Sequence, residues 1–209
     1  MPVSVHVMMR DLAHRIGSLW RFKLALGLVL TVWFCVPYFT LQHVFLRAPW
    51  PIPPLAIDRA IAFDPRWIWV YQSAYLLIAG VPWLFVERDT LIRFARPFCV
   101  MSAIGFACFL VVPTIGPRPA TLNASGMYAL VTWYDGPTNA FPSLHVALAT
   151  HSLRAGLETF WTMASLRQVA LAVVGAGWVT AVAYAAVATK QHYVVDVLAG
   201  FVLALAVRP

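Results

Sequence analysis

Apolar residues run through this chain in blocks of membrane length, and the short stretches between them hold most of its charge. A bilayer core of about 30 Å takes roughly 20 helical residues. Segments near Lys23 to Phe45, Trp67 to Val86, Phe94 to Pro113, Pro142 to Ser165, Leu166 to Thr189 and His192 to Val207 meet that need. The pattern predicts an all-α, polytopic membrane protein built as a six-transmembrane-helix bundle. The fourth segment is the least apolar, because it carries His151, Arg154 and Glu158, and its lower half is expected to emerge into water. In the fifth, Gly177, Ala181 and Ala185 recur every four residues, which predicts close approach of a neighbouring helix. Residues 1–22 form a basic, cytoplasmic N-terminal segment, and 23–209 form one membrane domain whose motifs fall within 113–200.

Composition agrees with that division. Of 209 residues, 61% are hydrophobic and 11% charged, with a mean hydropathy of +0.76, which excludes a water-soluble surface. The net charge of +7 does not point to nucleic acid, since the basic residues sit between apolar runs and form no stripe with interleaved aromatics. Their distribution sets orientation instead. With the N-terminus inside, ten basic residues (Arg10 to Lys23, Arg88 to Arg96, Arg154, Arg167, Arg208) lie on the inner side and five (Arg47, Arg59, Arg66, Arg118, Lys190) on the outer side. The first apolar run exceeds a signal-peptide core and lacks a small-residue cleavage site, so it reads as an uncleaved signal anchor. Cys35, Cys99 and Cys108 lie in apolar runs without metal-type spacing, and no disulfide is assigned to them.

Ionisable groups at the mouths of apolar segments are where function is expected. Lys190-Gln191-His192-Tyr193-Val194-Val195-Asp196 opens the sixth segment and Phe141-Pro142-Ser143-Leu144-His145 the fourth, and the predicted topology brings both to the outer side. His192 and Asp196 are four residues apart, so on a helix the carboxylate can accept a hydrogen bond from the ring and leave the other nitrogen free to act as base or nucleophile. His145 is the complementary acid. The Pro142-Ser143 helix start offers unpaired amides and a hydroxyl to a phosphate. Arg118, in Gly116-Pro117-Arg118-Pro119, can clamp phosphate oxygens, and Lys190 adds positive charge. These parts describe phosphoryl transfer through a histidine. Two other readings of the same residues are a metal-dependent hydrolase with His145, His192 and Asp196 as ligands, and a transporter or proton relay. His151, on another face of the helix, is expected to bond a neighbouring helix.

Pro142-Ser143-Leu144-His145 and His192-Tyr193-Val194-Val195-Asp196 resemble the Pro-Ser-x-His and His-x-x-x-Asp elements of the type 2 phosphatidic acid phosphatase (PAP2) superfamily, in its inositol phosphorylceramide synthase-like branch. The resemblance covers roughly Pro113 to Gly200. It implies a six-helix bundle in which His192 becomes phosphohistidine, Asp196 orients it and His145 protonates the leaving group, with no metal or other cofactor. It further implies a phosphorylated lipid as substrate, and a multi-pass protein of a bacterial inner membrane with its site facing periplasm or exterior. Two cationic positions of the family pattern are Val111 and Ala186 here. That departure speaks against an unrestricted phosphomonoesterase and leaves a headgroup-transferring synthase as the alternative, because a diester carries less charge.

Overall fold

The computed structural model describes residues 5–119, 126–160 and 165–208; residues 161–164, at the end of the fourth apolar segment, and 1–4 of the N-terminal segment lie outside the described residues. Helix α1 (Val5–Gly17) is exposed and ends where Leu19 takes a left-handed conformation (φ 52°), which turns the chain into α2 (Trp20–Thr40). Lys23, near the N-terminal end of α2, is held by the carbonyl oxygens of Arg15 and Trp83. After α2 come strand β1 (Trp50–Pro51), helix α3 (Ala56–Ala60) and a 3-10 turn (Pro65–Trp67) whose first amide is capped by the Asp64 carboxylate. Next are α4 (Ile68–Gln72), α5 (Ala74–Trp83) and α6 (Arg88–Val111), then β2 (Thr114–Ile115), which pairs in parallel with β1. The chain ends with α7 (Gly126–Tyr134), α8 (Leu144–Phe160), α9 (Leu166–Ala188) and α10 (Val194–Ala206).

All six apolar segments are helical, and three helices are long and apolar enough to cross a membrane: α2, α6 and the Gln168–Ala188 stretch of α9. The second and sixth segments form helices shorter than their apolar runs. The second is divided at Ser73, whose hydroxyl donates to the Val70 carbonyl and accepts from the Trp178 indole. At 1.5 Å per residue, the 13 residues of α10 reach about 20 Å.

Helix α8 is the centre of the bundle, packed against α10, α5, α6 and α9. Its small residues Ala147 and Ala149 are fully buried and let these neighbours close in. The aromatic part of the core, built on Phe94, Phe98, Phe106 and Phe109, fills the space between α6, α8 and α2. Helix α2 is peripheral, with Leu28, Val29, Val32 and Val36 facing outward.

Two local expectations are corrected. Helix α8 starts at Leu144, so Pro142 precedes the helix instead of opening it. A methyl group added at Gly177 would meet nothing within 4 Å, so the expected small-residue seam is not a packing face there. Tight glycines lie elsewhere: Gly175 and Gly105 against the Leu153 and Leu144 side chains, Gly136 against Gln42, and Gly116 and Gly200 against the backbone of Gln191 and Ser143.

Candidate functional site

The carbonyl of Ala186 takes the amides of both Gln191 and His192, closing α9, and Lys190 adopts a left-handed conformation (φ 55°) that reverses the chain toward α10. The first amide of α10, on Val194, is capped by Asp58 Oδ1 at 2.8 Å. This turn buries His192 at one end of the bundle. Its Nδ1 lies 2.9 Å from the Ala140 carbonyl. A carbonyl can only accept, so Nδ1 carries the proton and Nε2 the lone pair.

Asp196 does not make the hydrogen bond expected of it. Its Oδ2 is 3.7 Å from His192 Nδ1 and instead accepts the Tyr193 amide at 2.7 Å. An acid at the third position of a helix satisfies the otherwise unpaired amide of the cap, and that local bond wins over the side-chain pair. Asp196 is fully buried, and among the described residues its Oδ1 has no hydrogen-bond partner.

His145, the second residue of α8, is buried with its ring centroid 6.3 Å from that of His192. Both of its nitrogens are engaged: Nδ1 by the Tyr71 hydroxyl and Nε2 by the Tyr75 hydroxyl, each at 2.8 Å. The two tyrosines lie four residues apart across the Ser73 division and clasp the imidazole from one side of the bundle.

Ser143 is fully buried. Its amide donates to the Asp196 carbonyl at 3.0 Å, and its hydroxyl faces the Val146 amide at 3.5 Å, so the side chain caps its own helix. It does not line the cavity beside His192, and this placement gives no support to a phosphate-donating hydroxyl.

That cavity, about 590 Å³ in volume, is bordered by Arg118, Lys190, His192, Tyr193 and the 51–63 loop. The Arg118 guanidinium donates to the Asp135 carbonyl and to Gln191 Oε1, with Asp135 Oδ2 at 3.6 Å, and its Nε has no partner among the described residues. Burial pushes the Asp135 carboxyl up from its ordinary value, while Arg118, the Tyr38 hydroxyl and His192 pull it down. Lys190 Nζ is held by the carbonyls of Asp58 and Ile61 at 3.0 and 2.6 Å, which fixes its charge at the cavity rim. Val111 is exposed and Ala186 is fully buried, and neither borders this cavity. Across the histidine pair lies a second, apolar cavity of about 250 Å³ that includes His145 and Tyr75 among its walls.

The structure therefore brings His192, Arg118 and Lys190 around one cavity, with Asp196 behind His192 and His145 beside it. Among the described residues no three His, Cys, Asp or Glu side chains are grouped to hold a metal ion, and the tyrosines occupy both His145 nitrogens. His151 bonds the Phe94 carbonyl at 2.9 Å and stacks on that ring, away from the site, as its helical face predicted. Sequence reasoning missed Asp58, Tyr71, Tyr75, Asp135 and Gln191. Only the tyrosines left a signal, two hydroxyls at helical spacing in an apolar run, each needing a partner.

No curated protein and no solved structure matches this chain. The family model described as PAP2 superfamily matches residues 57–208, which takes in every site residue named above except Tyr38 and part of the 51–63 loop.

Proposed function

The chain belongs to the PAP2 superfamily, and on that premise we propose that it is a membrane lipid phosphatase or phosphotransferase working through a phosphohistidine on His192. The observation that carries this reading is the His192 ring itself. Its Nδ1 proton is committed to a backbone carbonyl, and its ring borders the cavity that Arg118 and Lys190 make positive.

The chemistry follows from those placements. The Nε2 lone pair of His192 attacks phosphorus as the bond to the leaving oxygen breaks, and that oxygen takes its proton from His145. The imidazolium formed is stabilised by the Asp196 carboxylate. The acceptor, water or an alcohol, then gives its proton to His145 and its oxygen to phosphorus, releasing His192. Arg118 and Lys190 stabilise charge on the phosphoryl oxygens. Ser143 contributes by tying the α8 mouth to Asp196.

In this reading all six apolar segments cross the bilayer, with the N-terminus in the cytoplasm and the site facing the periplasm or exterior. Support comes from the charge distribution, from both histidine motifs lying at one end of the bundle, and from exposed Trp50, Trp69 and Trp133 near that end, where an aromatic belt is expected. One observation favours a second reading, a headgroup-transferring synthase. With Val111 and Ala186 at the two cationic family positions, the cavity suits a singly charged diester better than a doubly charged monoester.

The test is phosphate release from phosphatidic acid in mixed micelles by wild type and His192→Ala. Release by wild type alone supports the phosphatase. No release from either directs the assay to phospholipid donors with lipid alcohols, and equal release from both overturns the assignment of His192.

A further inference from the structure

The cavity beside His192 has three walls: residues 115–118, the turn that carries Lys190 and His192, and the 51–63 loop. The loop is fastened to both of the others. At one end β1 pairs with β2, the strand that leads to Arg118, and at the other the Asp64 amide donates to the Ala188 carbonyl at 2.9 Å. Between them Asp58, 6% exposed, accepts the Leu55 and Val194 amides on its two carboxylate oxygens, and its carbonyl takes Lys190 Nζ. A loop held at both ends and in the middle presents the residue next to Asp58 at a fixed place.

That residue is Arg59, which also borders the cavity. Its Nη1 donates to the Pro54 carbonyl at 2.7 Å, and Pro54 is itself part of the wall, so the guanidinium is held at the cavity's edge. A guanidinium has five N–H donors, and this bond takes one. The three cations around the cavity are not equivalent. Arg118 is partly offset by Asp135 Oδ2 at 3.6 Å, whereas among the described residues neither Lys190 nor Arg59 is in an ion pair. A phosphate monoester carries about 1.5 to 2 negative charges at neutral pH. Lys190 alone does not balance that, and Lys190 with Arg59 does.

We propose that Arg59 is a phosphate-binding residue of this site, a third cation that takes the outward-facing oxygens of a doubly charged phosphate monoester while Arg118 and Lys190 hold it beside His192. This inference rests on the phosphohistidine reading of the cavity. It also changes the count of cations that favoured a diester, because a charge from the 51–63 loop enters the site. Arg59 is exposed, so it acts from the mouth of the cavity and salt screens it, whereas the Arg118 side chain, 14% exposed, acts from within.

Binding, which needs no turnover, tests this. Phosphorus NMR titrations of the full chain in an uncharged detergent, at mildly alkaline pH, follow two probes: inorganic phosphate stands in for the doubly charged monoester and dimethyl phosphate for the singly charged diester. Wild type, Arg59→Ala, Arg59→Lys and Lys190→Gln are compared at low salt and at about 1 M, where the Debye length is only about 3 Å. At low salt Arg59→Ala weakens inorganic phosphate about tenfold and dimethyl phosphate about threefold or less. Arg59→Lys, which keeps the charge, recovers most of that affinity, and at high salt the gap between Arg59→Ala and wild type closes. Wild-type affinities in Arg59→Ala overturn the inference, and they are the result expected of a cation that meets only the phosphates of the surrounding membrane. Equal losses on both probes, a loss that salt does not reduce, or a Lys variant as weak as the Ala variant overturn it too, since those mark a structural role. Lys190→Gln keeps the two readings apart. If it weakens inorganic phosphate while Arg59→Ala does not, the Arg59 assignment alone fails; if wild type binds neither probe, the phosphate reading of the cavity falls with it.

Discussion

Gly200 decides how closely the two histidine-bearing helices approach, and replacing it with alanine tests the whole arrangement. A methyl group there would lie 2.5 Å from the Ser143 carbonyl oxygen, 3.3 Å from Val146 Cβ and 3.4 Å from the Ala147 amide nitrogen. Two of these three atoms are backbone, so no side chain can swing aside. To restore ordinary contact, α10 must retreat from α8 by about 0.9 Å. The same movement pulls on the bond from the Ser143 amide to the Asp196 carbonyl, now 3.0 Å, and shifts His192 relative to His145. Overpacking of this kind costs about 1–3 kcal/mol of stability. A misplacement of about 1 Å in a catalytic constellation can cost on the order of 100-fold in rate. Gly200→Ala is therefore expected to lower the unfolding temperature in detergent and to reduce kcat/KM about 100-fold. Gly177→Ala is the control, since a methyl group there meets nothing within 4 Å and alanine favours helix by up to about 1 kcal/mol. Wild-type activity and stability in Gly200→Ala would refute the argument that this contact sets the site.

Three other outcomes are expected. Arg118→Ala leaves the buried Asp135 carboxylate without its cation, at a cost of about 3–5 kcal/mol, and Asp135→Asn in the same chain recovers stability but not turnover. Because burial raises the Asp135 carboxyl, its contribution to stability is present below the ordinary Asp value and is lost as pH rises through the raised folded value; removing Arg118 extends that loss to higher pH, and Asp135→Asn abolishes it, as pH-dependent unfolding will register. Lys190→Gln removes a fixed charge from the cavity rim and is expected to lower kcat/KM about tenfold, more for a monoester than for a diester, with equal losses on both counting against a phosphate role. His151→Leu breaks the bond to the Phe94 carbonyl and should destabilise by about 1–3 kcal/mol while leaving kcat intact; a catalytic defect without destabilisation would return His151 to the site.

What the sequence determined by itself is local. Six apolar runs of helical length each became helix, because burial or lipid exposure of the backbone leaves no other way to satisfy its amides. The Pro142 to His145 and His192 to Asp196 spacings identified the polar mouths, and the helical face of His151 excluded it from the site. What the tertiary structure decided are the partners. The Ala140 carbonyl that fixes the His192 tautomer is a backbone atom, which any residue would supply and no pattern reveals. Asp58 and the carbonyls that hold Lys190 come from a loop more than 120 positions upstream. Tyr75 reaches His145 because α5 packs against α8, and Tyr71 reaches it from α4, across the division at Ser73. Even the His192 and Asp196 pair lacks its direct bond, because His192 precedes α10 and the Asp196 carboxylate caps the nearer Tyr193 amide. Periodicity is set by each residue's neighbours along the chain, whereas these contacts depend on how close two helices can come, and that distance was fixed by residues such as Gly200 that carry no chemistry of their own.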